Sequence, residues 1–283
     1  MSYGNTLVQY HLASDGVGRD RGHMQTNFAT MGLTYGVSDR LALSAGLPYV
    51  VSKYYGPAPH TLPTDNGDFH GTFSDYRIDV RYQALKAPLV LTPFVATIIP
   101  SHDYTYFAHS AVGRHVREYL LGTYFAKILD PVVPSTYVQG RYSYAFAQRI
   151  LGVRHDRSDV DLAVGHFLTP SLDLRAIGSW AHTHGGIELP PAGTPEADAL
   201  RNSIYWPHHD QLGRESYVDV GGGVGYVLTG SVDVFASYVT TVWGKNSHKI
   251  KHGFNVGFSW GFSPTQVVRR FFPRSRAAAA EAP

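Results

Sequence analysis

Fifteen histidines stand among 283 residues that include no cysteine. Histidine can act as a base or hold a borderline metal near neutral pH. The densest stretches are AHTHGG (181–186) and WPHHD (206–210), which flank one loop. His182, His184, His208 and His209, with Asp210, could offer imidazole and carboxylate ligands to an ion such as zinc or copper. They show no fixed ligand spacing, and polar loop filler whose charge follows acidity is the simpler account. The expectation is no dedicated metal site and no cofactor.

Hydrolytic chemistry would need a hydroxyl nucleophile beside a histidine base. Ser101–His102, His109–Ser110 and Ser247–His248 are neighbours in sequence. Adjacent residues on a strand point to opposite faces, so such pairs serve only from loops. The expectation is that the chain is not an enzyme. A membrane-embedded lipid hydrolase stays open as an alternative, as does a structural or surface-binding barrel without a continuous pore.

The charged residues follow a stricter rule than the histidines. In SDYRIDVRYQA (74–84), Asp75, Arg77, Asp79 and Arg81 alternate with Tyr76, Ile78, Val80 and Tyr82. Period-two alternation of this kind marks a strand with two unlike faces. The pattern recurs in TYVQGRYSYAF, SDVDLAVG and SLDLRAIGSWAH, and most cleanly in HGFNVGFSWGF (252–262). About twelve strands are predicted, over 3–12, 24–36, 40–52, 72–84, 88–99, 116–127, 135–147, 158–168, 171–183, 214–228, 231–243 and 250–262. Short links follow the even strands, whereas the links after odd strands are mostly long and rich in Pro, His and Gly. That asymmetry describes an up-and-down meander.

Composition supports an all-β chain and narrows what surrounds it. Charged residues make up only 16%, aromatics 13%, and Gly (29) and Tyr (19) are abundant, against about 25% charge in ordinary soluble domains. A formal charge of +2 is too small to suggest a nucleic-acid partner. No apolar run approaches the roughly 18 residues of a spanning helix. Strands of 11–13 residues exceed the usual 5–6 of soluble sheets and suit a tilted crossing of a bilayer's apolar layer. Lipid outside requires the apolar face out and the charges in, since an arginine facing lipid near midplane costs about 2–4 kcal/mol. Aromatic residues near strand ends (Tyr35, Tyr49, Tyr76, Tyr82, Tyr119, Phe125, Tyr226, Trp260) fit interfacial girdles. A soluble sandwich or barrel explains the alternation but neither the strand length nor the low charge. The fold expected is therefore all-β, a transmembrane up-and-down antiparallel barrel of about 12 strands.

GLTYGVSDRLALSAGLPYV (32–50), SDYRIDVRYQAL and TPFVATIIPSHDY (92–104) then show a likeness. Together they resemble the outer-membrane family described as transporters of the meta-pathway of phenol degradation, over about residues 24–262. The resemblance implies a Gram-negative outer-membrane barrel, with lipid and the barrel-assembly machinery as partners, that admits hydrophobic or aromatic compounds. Such barrels end on a strand with a terminal aromatic, as GFNVGFSWGF does. Residues 1–262 are expected to form the single barrel and 263–283, RRFFPRSRAAAAEAP included, a flexible basic and Ala-rich tail. MSYGNTLVQY lacks the basic start and apolar stretch of a secretory signal yet already fits a strand. A leader removed ahead of it, or a mis-set gene start, is expected rather than a cytoplasmic protein.

With the apolar face outside, one lumenal wall should carry Asp75, Arg77, Asp79, Arg81, Glu118, Gln139, Arg141, Asp159, Asp161, Asp173 and Arg175. These would brace the barrel, form a charged constriction, or both. The opposite wall is small: Thr30, Gly32, Thr34, Ala42, Ser44, Gly46, Gly221, Gly223, Gly225, Gly253, Gly257 and Ser259. Phe235, Val239 and Trp243 are expected to add apolar lumen lining. The predicted function is passive uptake of a small solute through a narrow lumen, obstructed by an inward-folded loop.

Overall fold

A computed structural model describes residues 1–56 and 64–262. Thirteen strands make up one sheet: β1 (Ser2–Leu12), β2 (Gly18–Gly36), β3 (Leu41–Tyr55), β4 (His70–Phe73), β5 (Asp75–Tyr82), β6 (Val90–Pro100), β7 (Glu118–Ile128), β8 (Thr136–Ala147), β9 (His155–Thr169), β10 (Leu172–Gly185), β11 (Ser216–Thr229), β12 (Val232–Lys245) and β13 (Ser247–Trp260). β4 and β5 are one stave interrupted at Ser74, whose N–H still bonds Pro48 O at 2.9 Å, so the barrel has twelve staves. Each stave pairs antiparallel with its neighbours, and the β1–β13 and β1–β2 ladders close the ring. Closure removes the free edges that lipid would not tolerate. All twelve predicted strands are present. The tail 263–283 lies outside the described residues.

The apolar residues of the alternation point outward. Ile78, Val80, Tyr82, Leu162, Val164, Phe254, Val256 and Phe258 are exposed, while Asp79 on the other face is 4% exposed. Apolar surface on that scale is a lipid-facing belt, not the scattered exposure of a soluble monomer. Tyr119 opposes Phe146 on the outside near the long-loop end, and Trp180 and Trp243 both oppose Val218. Tyr35, Tyr82, Tyr226 and Trp260 are exposed near the short-turn end. On β11, Val218 and Tyr226 are eight residues apart, about 26 Å along the strand and less once tilted. That matches an apolar band roughly 25 Å tall.

Trp243 corrects the lumen expectation. The β11–β12 register skips Val242, pairing Val218 with Trp243 and Asp219 with Thr241. This bulge reverses the in–out sense beyond Thr241, so Trp243 is 47% exposed and joins the outer aromatic belt. Strict alternation had put it inside.

Inside, aromatic rings lie over glycines of adjacent strands. A Cβ on Gly4 would meet the Phe28 ring at 2.1 Å, on Gly165 the Tyr137 ring at 2.1 Å, and on Gly257 the Phe235 ring at 2.7 Å. Gly221 is tighter in kind, because its Cβ would sit 1.9 Å from the Tyr238 carbonyl oxygen, which is backbone. Gly221→Ala must spread β11 from β12 and is expected to destabilise the barrel by about 1–3 kcal/mol. Gly36→Ala, with nothing within 4 Å of the new Cβ, serves as the neutral reference in urea unfolding from vesicles. Equal midpoints for the two variants would refute the steric account.

Candidate functional site: a braced lumen with a histidine-lined neck

Carboxylates and guanidiniums two residues apart on a strand share a face and pair there. Asp79 lies between Arg77 (3.4 Å) and Arg81 (2.8 Å), and Asp173 meets Arg175 at 2.9 Å. Across strands, Arg141 holds Asp161 at 2.6 Å, and Arg157, which meets Asp159 on its own strand at 2.9 Å, reaches Glu118 at 3.3 Å. Tyr137 donates its hydroxyl to Asp173 at 2.7 Å, and Ser179 donates to Asp161 at 2.9 Å. The arginines also lie over rings, Arg77 on Phe94 and Arg81 on Tyr124. Gln139, Arg141, Asp161 and Arg175 line an interior cavity of about 630 Å³ toward the short-turn end. Each carboxylate therefore has an arginine or hydroxyl partner, and the wall presents bonded pairs rather than net charge.

The facing wall carries less. Thr34 bonds Ser44 and Thr26 bonds Ser52, both at 2.9 Å. Phe235 and Val239 face the interior, their side chains lying where Cβ atoms on Gly257 and Gly253 would go.

Two loops fold over the long-loop end. Residues 101–117 turn inward, burying Tyr104, Ala108, Ser110, Val112 and Val116. Tyr104 and Val112 pack on Val50 and Phe28 of the inner wall. Asp65 accepts from the backbone N–H groups of His109 (2.9 Å) and Ser110 (3.1 Å) and from the Ser110 hydroxyl (2.7 Å). Tyr104 donates its hydroxyl to Asp75; burial and that carboxylate push its phenol up. The second loop, 186–215, carries α1 (Pro195–Arg201), a 3-10 turn (Trp206–His208) and α2 (His209–Leu212). Thr194 caps α1 by accepting from the Ala197 N–H, with Pro195 at its first turn. Arg114 Nη2 donates to Gln211 O and Gln211 Nε2 to Arg114 O, each at 2.8 Å, which ties the loops together.

These loops divide the upper lumen. An outer cavity of about 450 Å³ is lined by Leu12, Tyr54, Leu189, Pro190, Leu200 and Trp206, among others. An inner cavity of about 470 Å³ is lined by Thr6, Met24, Phe28, Val50, Tyr217 and Asp219, among others. Both touch His109, Asp210, Glu215, Ser247 and His248, which form the neck between them. Desolvation pushes the Glu215 carboxyl up, against the pull of Arg114, His248 and Arg157.

The five predicted metal ligands are not brought together. His182 and His184 point to the outer face, where they bond Ser216 (2.6 Å) and Ser158 (2.8 Å). His208 bonds Gln211 Oε1 at 2.8 Å, and His209 stacks on Trp206 beside Asp210. The strand-end pair is split from the loop pair because alternation turns 182 and 184 away from the interior into which 208–210 fold. Among the described residues, the three histidines whose ligand atoms converge are His11, His109 and His248, whereas His182 and His184 meet only each other. Sequence reasoning placed His109 on a loop but had no means to join it to two strand ends. Of the hydroxyl–histidine pairs, Ser101 bonds His102 at 2.8 Å. The other ring nitrogen of His102 bonds Thr72 Oγ1, not a carboxylate that would orient a base.

No family model matches the chain, and no curated protein matches it in sequence. Among solved structures, it is similar to an outer membrane channel from Pseudomonas putida F1. That match has 14% identity and a TM-score of 0.65, over 92% of this chain and 95% of that one. It is also similar to the β domain of the Bordetella autotransporter BrkA, at 12% identity and a TM-score of 0.52, over 92% and 98%. At such identities the likeness is one of fold. The chain has the closed antiparallel barrel of outer-membrane proteins; the narrower phenol-pathway family does not follow from it.

Proposed function

We propose that the chain is an outer-membrane conduit for passive passage of small hydrophobic or aromatic solutes. The observation that carries this is that the outer and inner chambers share a neck at His109, Asp210, Glu215, Ser247 and His248. The outer chamber's apolar and aromatic lining suits a greasy solute, and the bonded charge pairs of the lower wall keep the remaining path wet without favouring one sign of ion. The resemblance of 32–50, 74–85 and 92–104 to the phenol meta-pathway transporters points to aromatic compounds. Lipid meets the outer belt, and the aromatic-ended β13 is what the barrel-assembly machinery would read. The eleven polar wall residues, Asp75 to Arg175, act as brace and selectivity lining together, with Phe235 and Val239 as apolar contacts. Catalysis has no place in this reading.

Planar-bilayer recording tests it. The intact barrel is expected to pass only a small current, and deletion of residues 105–112, the tip of the inward loop, to raise conductance several-fold. Cells with the gene should take up an aromatic panel faster than cells without it, and an aliphatic panel less so. Large non-selective conductance from the intact chain, or uptake indifferent to the gene, would defeat the proposal.

A further inference from the structure

We propose that His11, His109 and His248 form a binding site for a divalent transition ion of the zinc, nickel and copper class. One ligand atom from each ring lies within 4.8 Å of the other two. The rings of His11 and His109 meet edge to face at 4.7 Å, as do those of His11 and His248 at 4.5 Å. A tetrahedral ion about 2.0–2.1 Å from each nitrogen needs the nitrogens about 3.4 Å apart. The widest pair must therefore close by little more than 1 Å. His109 sits on the inward loop rather than on a strand, so closing the gap from its side leaves the β1–β13 ladder intact.

The backbone supplies a second, independent observation. His11 and His248 are register partners at the β1–β13 seam, and each strand carries a bulge just before them. Thr6 and Val8 line the inner cavity, so strict alternation would send His11 to the outside. The extra residue Gln9, skipped between Val8 and Tyr10, turns it inward. On β13, Gly253 faces Val239 inside, and the extra residue Lys251 likewise turns His248 inward. Bulges re-aim side chains at functional positions, and here two of them aim imidazoles at one point. Three imidazoles in contact would repel if each took up a proton. A metal ion needs them neutral, and imidazole donors select zinc, nickel and copper over magnesium or calcium. Asp210 lines the same neck and favours a cation there. Asp15 offsets Arg19, one of the nearby arginines, at 2.7 Å. Among the described residues three ligands converge, and a tetrahedral ion takes a fourth donor.

The site depends on the fold alone, whether or not solutes cross the neck. Calorimetric titration of the detergent-folded chain with zinc chloride is expected to show one ion per barrel. His109→Gln and His248→Gln should each weaken binding by on the order of 100-fold, at least what losing an outer partner of a metal ligand costs. The double variant His182→Gln/His184→Gln should bind as the parent does. Cobalt chloride should give a tetrahedral-type visible spectrum that His109→Gln abolishes. If His248→Gln disturbs the seam, His109→Gln decides alone, since residue 109 takes part in no strand ladder. Absence of zinc heat, or binding that His109→Gln leaves intact, overturns the proposal.

Discussion

Glu118→Ala is expected to lower the stability of the barrel by about 3 kcal/mol, the low end for leaving buried charges without their partner. Glu118 is 4% exposed at the start of β7 and holds two guanidiniums, Arg114 at 3.1 Å and Arg157 at 3.3 Å. Arg157 keeps Asp159 and Arg114 keeps the Gln211 carbonyl, which is why the cost stays at the low end. The second effect is local. Arg114 belongs to the inward loop, so losing Glu118 unpins that loop, and bilayer conductance should rise along with the drop in urea midpoint. Arg114→Met, Arg157→Met and Asp159→Asn added to Glu118→Leu should restore most of the stability, because no buried charge is then left without its partner. An Ala variant with the parental midpoint and parental current would show that the triad holds nothing in place.

Val164→Arg is expected to cost about 2–4 kcal/mol, the penalty of a guanidinium at the midplane of a lipid-facing strand. Val164 is 48% exposed on β9, midway between the two aromatic belts. Gln139→Arg is the matched control. Gln139 pairs with Ala163 on the other face of the same ladder and lines the lower cavity, so its arginine would stay wet and change stability by no more than about 0.5 kcal/mol. Unfolding from lipid vesicles measures both. If Gln139→Arg proved the costlier of the two, the barrel would be inside out and its outer belt a core.

The contrast expected between these two substitutions follows from alternation alone, which is the part of the molecule most plainly written in its residues. Asp75 to Arg81 show it: lipid and water are such different solvents that each strand must sort its side chains by parity, and a slip of one residue would invert every one of them. What parity cannot convey is where it resets. Nothing about Gln9, Val242 or Lys251 marks them as bulge residues, since a bulge arises from the register between two strands rather than from either alone. Parity alone accordingly puts Trp243, His11 and His248 on the wrong face. The Asp75–Arg175 pairings were half visible, because partners two apart on one strand can be read directly, whereas Arg157 with Glu118 needs two intervening ladders. An inward-folded loop was to be expected, but not which one. That it is 101–117 depends on Val112 and Tyr104 finding Val50 and Phe28, a contact between segments over fifty residues apart in sequence.

The paired bulges at the seam have a bearing on how the ring finds its closure. A slide of β13 against β1 by two residues keeps every greasy group in lipid, so parity by itself leaves several near-equal alignments open. One swelling on each edge, interlocked around Val8 and Ile250, meshes in a single alignment as teeth do. The first and last staves thus carry their own gauge for when the cylinder has shut correctly.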